Sequence, residues 1–149
     1  MNPASKALLD ATVKEWAKFV AEREKMTAAA TEIANITRTL IHDNLAYLKT
    51  QNVEIESETS ESMKILGAPI TVEPIVEAAF PNVKASVHLK CGEAARSILI
   101  NPNMTISAGG VVVTFDAIRK AIPDPFATNA ADFVRDAFLY VARNAVKTH

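Results

Sequence analysis

The chain has 149 residues, 49% of them hydrophobic and 22% charged, with a formal net charge of −1. That size and balance belong to a globular chain able to bury a core, not to a disordered one. The near-neutral charge carries no basic block, which argues against direct nucleic-acid binding through clustered Lys and Arg. Its single cysteine, Cys91, rules out an intrachain disulfide framework.

Two further exclusions concern the membrane. No apolar run reaches the roughly 18 residues that mark a spanning helix, so no membrane span is expected. Asp10, Lys14 and Glu15 interrupt the N-terminus as a candidate signal-peptide core. Together these features predict a soluble, intracellular protein or a part of a large assembly.

Glycine and proline divide the chain. Residues 1–66 hold no glycine and only Pro3, whereas residues 67–149 hold all four glycines and six of the seven prolines. Helix-compatible sequence therefore comes first and turn-punctuated sequence second, which predicts an α+β fold and not alternating βα units. The expected organisation is an extended helical segment over 1–52, an acidic linker or edge strand over 53–62, and a compact α+β head over 63–149.

The run from Ala4 to about Thr50 reads as one long helix, opened by Pro3 and capped by Ser5. At ~1.5 Å per residue it would span roughly 70 Å. An apolar seam runs through Leu9, Val13, Trp16 and Val20 with 4-3-4 spacing. Its continuation meets Arg23 and Thr27, both polar. A second seam resumes out of frame at Met26, Ala30, Ile33, Leu40 and Tyr47. The slip at Arg23–Thr27 marks a kink, a coiled-coil discontinuity or a helix junction, and continuity is the favoured reading. His42-Asp43-Asn44, three poor helix formers in a row, is a second weak point.

Gln51 to Ser62 is polar and carries Glu54, Glu56, Glu58 and Glu61. No His or Cys joins these carboxylates, so they read as solvated charges and not as a metal site. Short strands are predicted at Met63–Leu66 and Pro69–Val72 around Gly67. A short helix is predicted over Pro74–Phe80, stopped by Pro81. Val83–Lys90 alternates strictly, with Val83, Ala85, Val87 and Leu89 on one face, so it is the clearest strand. It turns through Cys91–Ala94 into a second strand over Ala95–Ile100.

A further hairpin is predicted from Met104–Ser107 and Val111–Phe115 across Gly109-Gly110. The β-branched run Val111-Val112-Val113 suggests a strand covered on both faces. Asp116 is expected to cap a short helix over Ala117–Ala121, followed by a stiff Pro123-Asp124-Pro125 connector. Asn129 is expected to cap a last helix whose stripe is Phe133, Val134, Ala137, Phe138, Val141 and Ala145. The whole is a mostly antiparallel sheet of about four to six strands covered by that helix.

Chemistry is sparse. His88 near Cys91 invites a nucleophile–base reading, but no orienting acid or oxyanion element accompanies it. His42, His88 and His149 are scattered and lack metal-ligand spacing. Gly109-Gly110 lacks a nucleotide-binding context. No catalytic, cofactor or metal site is therefore assigned.

The expected function is a non-catalytic structural or assembly protein. It would oligomerise, or dock on neighbouring subunits, through a helix interface formed by Leu9, Val13, Trp16, Val20, Met26, Ala30, Ile33, Leu40 and Tyr47. A component of a virion or secretion apparatus would fit. The alternative is a small-molecule-binding or regulatory domain with a pocket between the sheet and the last helix. A small thiol-dependent enzyme ranks third.

Overall fold

The computed structural model describes residues 1–122 and 129–147. The connector Pro123-Asp124-Pro125 and His149 lie outside the described residues. The fold is α+β, as its composition predicts. A helix α1 (Pro3–Thr50) leads into a seven-stranded antiparallel sheet, and helices α2 (Phe115–Lys120) and α3 (Asn129–Lys147) follow.

Helix α1 is unbroken, because nothing in it interrupts the backbone hydrogen-bond ladder. Its cap is Asn2 and not Ser5: the Asn2 side chain accepts a 2.7 Å hydrogen bond from the Ser5 amide, and Pro3 occupies a first-turn position where its missing N–H costs nothing. The weak point at His42–Asn44 holds through local and tertiary bonds. The buried Asn44 amide donates to the Leu40 carbonyl at 2.9 Å, and His42 Nδ1 is hydrogen-bonded to the Ser57 hydroxyl.

The strands are β1 (Ile55–Thr59), β2 (Ser62–Ile65), β3 (Ala68–Ala79), β4 (Asn82–Cys91), β5 (Ala94–Asn101), β6 (Thr105–Ala108) and β7 (Val111–Thr114). They lie side by side in chain order, so every connection is a hairpin. The sheet has seven strands, beyond the expected four to six, because the acidic stretch forms its own strand. That stretch is β1, one edge of the sheet, with Glu56 and Glu58 turned to solvent. Charged side chains on an edge discourage pairing with another chain.

Two expectations fail here. Pro74–Phe80 is not a helix: Pro74–Ala79 continues β3, a 12-residue strand that pairs with β4 along its length. Proline is tolerated because β2 pairs only with Ala68–Ile70, which leaves the rest of β3 as an open edge. Val111–Val113 is not covered on both faces. It belongs to β7, the opposite edge, where Val111 and Val112 are exposed. The cap of α2 is also displaced from Asp116 to Thr114, whose hydroxyl accepts from the Ala117 amide at 3.1 Å.

One face of the sheet is buried. Met63, Ile65, Ile70, Val72, Val87, Leu89, Ile98, Ile100 and Ile106 alternate inward from successive strands. Against them pack Met26, Ile33, Leu40, Ile41 and Leu45 of α1, Ile118 of α2, and Phe133, Val134, Phe138 and Val141 of α3. The α3 stripe is thus the one its spacing predicts. Arg119 ties α2 to α1 through Glu32 at 2.7 Å, a solvent-screened pair that orients more than it stabilises. The other face of the sheet is mostly polar, with Thr71, Glu73, Lys84, Ser86, His88 and Lys90, but also exposes Leu99 and Val112.

Helix α1 therefore has two regimes. From Met26 onward it belongs to the core, and from Pro3 to Lys25 no residue of it is buried. The division drawn from sequence near residue 52 does not separate two bodies, since Met26 to Leu45 shares one core with the sheet. Truncating each regime should give opposite results. Ile33→Ala is expected to cost about 3 kcal/mol of unfolding free energy in urea, the usual loss for a fully buried aliphatic side chain. Val13→Ala is expected to change it by less than about 0.5 kcal/mol.

Candidate functional site

The first half of α1 projects from the body as an arm. Its 23 residues, Pro3 to Lys25, correspond to ~35 Å of helix. On it Leu9, Val13, Trp16 and Val20 are 50%, 59%, 57% and 37% exposed. Four large apolar side chains on one line of a solvated helix form a patch that solubility does not favour.

The direction of that line follows from helix geometry. Side chains advance by about 100° per residue, so Phe19, Met26, Ile33 and Leu40 lie on one side, toward the body. Leu9, Val13, Trp16 and Val20 centre roughly 110° away. The frame slip at Arg23–Thr27 is therefore not a junction, since α1 runs unbroken through it. It is the level at which the helix changes the face that is apolar, and the same level at which it leaves the core.

The arm is buttressed on its body side. Strands β3 and β4 extend past their neighbours as a hairpin, whose turn contains a cis Phe80–Pro81 bond. Phe80 meets Phe19 edge-to-face, with ring centroids 5.4 Å apart and an interplanar angle of 78°. Arg23 holds its guanidinium 5.8 Å from the centre of the Phe19 ring. The hairpin supports the arm near its body end and leaves the apolar line open.

The predicted interface thus splits. Leu9, Val13, Trp16 and Val20 stay together and accessible. Met26, Ala30, Ile33 and Leu40 are corrected: they are buried in the chain's own core and present no outer surface. Tyr47 is exposed at the far end of α1, beside a groove of about 490 Å³ lined by Leu48, Phe138 and Leu139, and separate from the arm. Sequence reading grouped the two seams because both are apolar. It passed over Phe19, whose signal was its place one heptad before Met26.

The other candidates disperse. Cys91 is fully buried, and its strand position sends it to the core face, while His88 faces the opposite side of the sheet. Burial pushes the Cys91 thiol up from its ordinary pKa, the reverse of what a nucleophile needs. No group of three or more His, Cys, Asp or Glu side chains able to hold a metal ion occurs among the described residues.

A cleft of about 360 Å³ does lie between the sheet and α3. There Arg96 places its guanidinium 4.3 Å from the centre of the Tyr140 ring. It also rests against Gly109, where an added methyl group would overlap it and where φ is +58°. Asp132, on the same cleft, is bound by Arg135. Of the three charged side chains lining the cleft, Arg96 and Asp132 are thus engaged with the protein itself, and Asp136 is the third.

Among the described residues no helix is long and apolar enough to cross a membrane. Comparison with protein-family models, with curated proteins and with solved structures yields no match.

The buried thiol gives a direct check. In the folded protein Cys91 is expected to resist a thiol-specific reagent at about pH 8 and to react fully after unfolding in urea. Because folding raises its pKa, the thiol's contribution to stability is present at neutral pH. It is lost as pH rises above the ordinary thiol value toward the raised one. Rapid labelling of the native protein would contradict this.

Proposed function

We propose that the protein is a non-catalytic assembly subunit. Its β-sheet body carries a helical arm through which it joins copies of itself or neighbouring subunits of a larger particle. The observation that carries this reading is the exposed line of Leu9, Val13, Trp16 and Val20 on a segment that takes no part in the core.

Energetics supports the reading. Removing apolar surface from water is worth roughly 25 cal/mol per Å², and a tryptophan near the centre of a contact is a frequent hot spot. The core does not need these side chains, so their apolar character has no intramolecular use. A helix whose apolar face meets a partner is among the commonest recognition modes.

Sedimentation velocity at increasing protein concentration tests the proposal. The wild-type chain is expected to shift from monomer toward a larger species. Trp16→Glu and Val20→Glu are expected to return it to monomer, with the urea midpoint of the body unchanged. A concentration-independent monomer, or a variant that melts the body as well, would count against the reading.

A further inference from the structure

We propose that the arm pairs with the arm of a second copy, antiparallel and about a two-fold axis. In this arrangement Leu9 of each copy faces Val20 of the other, and Val13 faces Trp16. The inference rests on the assembly reading above and specifies its partner.

The first argument is spacing. Leu9, Val13, Trp16 and Val20 are separated by four, three and four residues, a pattern that reads the same in both directions. An isologous two-fold contact requires such a patch, because residue i must meet j while j meets i. The residues alternate in size as well. Each Trp16 meets a Val13 and each Leu9 meets a Val20, so bulky side chains oppose smaller ones.

The second argument is charge. Lys6 and Glu24 both lie about 50° to one side of the apolar line, near its two ends. Antiparallel pairing in this register brings Lys6 of one copy beside Glu24 of the other, twice per dimer. Neither residue is in an ion pair with another described residue. Arg23 lies on the opposite side of the line, near Ser5 of the second copy, and is drawn toward Phe19. A parallel pair would instead leave Lys6 and Glu24 at opposite ends of the contact, ~27 Å apart along the axis, and could not bring them together.

The third argument is reach. The same register sets Pro3, the first helical residue, opposite Met26, the first buried one. The free length of each arm is therefore used in full, and each body begins where the partner's helix ends. The supporting hairpin meets α1 at Phe19, about 90° from the apolar line, and does not obstruct it.

Cysteine crosslinking tests the arrangement on the full chain, because the native Cys91 is buried. Leu9→Cys and Val20→Cys chains, mixed in a glutathione redox buffer, are expected to form a covalent dimer about tenfold faster than either alone. The two equivalent positions in an antiparallel pair are ~16 Å apart, too far for a disulfide. Self-crosslinking of Leu9→Cys at the rate of the mixture would show a parallel pair and overturn the proposal. So would the absence of any crosslink in the mixture.

Charge exchange gives an independent readout. Lys6→Glu and Glu24→Lys are each expected to weaken the dimer about three- to tenfold. The doubly exchanged chain is expected to recover to within about threefold of wild type, and failure to recover overturns the register. The two proposals fail separately. An oligomer that Trp16→Glu dissolves, yet which shows no crosslink between positions 9 and 20, retains the assembly reading and removes the antiparallel pair.

Discussion

Everything in this molecule is referred to one uninterrupted α-helix. Between Pro3 and Thr50 no glycine and no internal proline breaks the helix, so the whole length keeps one helical phase. A rod of that kind cannot turn its apolar side to suit its surroundings. The sequence changes the side instead. Body-facing residues recur at Phe19, Met26, Ile33 and Leu40, while the line from Leu9 to Val20 sits about a third of a turn away. An exposed apolar line and a buried one are thereby carried on a single unbroken helix.

The rest of the fold serves to hold the lower half of that rod. Seven strands lie in chain order, so every strand pairing joins neighbours in sequence. It offers one apolar face, which α1 and α3 share. Its longest hairpin, β3–β4, outruns the sheet and places Phe80 against Phe19. This contact lies outside the core yet limits the swing of the arm near the point where it leaves the body. The direction of the arm is thus set by the same strands that build the centre of the sheet.

How much of this was legible in the residues depended on which forces act locally. Periodicity exposed the strands β4 and β5 and the inner stripe of α3, because burial on one face leaves a period of two or 3.6. The continuity of α1 was legible from the absence of helix breakers. The helix expected at Pro74 failed because proline's effect depends on whether a neighbouring strand needs its N–H, and that is a property of the sheet. Val111–Val113 misled in the same way: β-branched residues favour strands but do not say whether the strand is central or at an edge. The acidic stretch became an edge strand for the complementary reason, that charges are tolerated where one side stays wet. The caps at Asn2 and Thr114 lie three and two residues from their expected positions, a difference decided by backbone geometry.

The candidate site was legible as residues and illegible as a division. Leu9 and Ile33 are both apolar positions on one helix, and nothing local separates a side chain that stays exposed from one that is buried. The frame slip at Arg23–Thr27 was the signal, and its meaning required the sheet. That division has a consequence for binding. An isolated helix must first form its costly opening turn before propagation can stabilise it. Here the core holds α1 from Met26 onward, so the arm extends from an existing nucleus and each further residue only has to propagate. The apolar line is consequently held in helical form by the chain itself, and in the proposed assembly association need not bear the full cost of ordering it. A short contact surface can then suffice where a disordered segment of the same composition would need a much larger one.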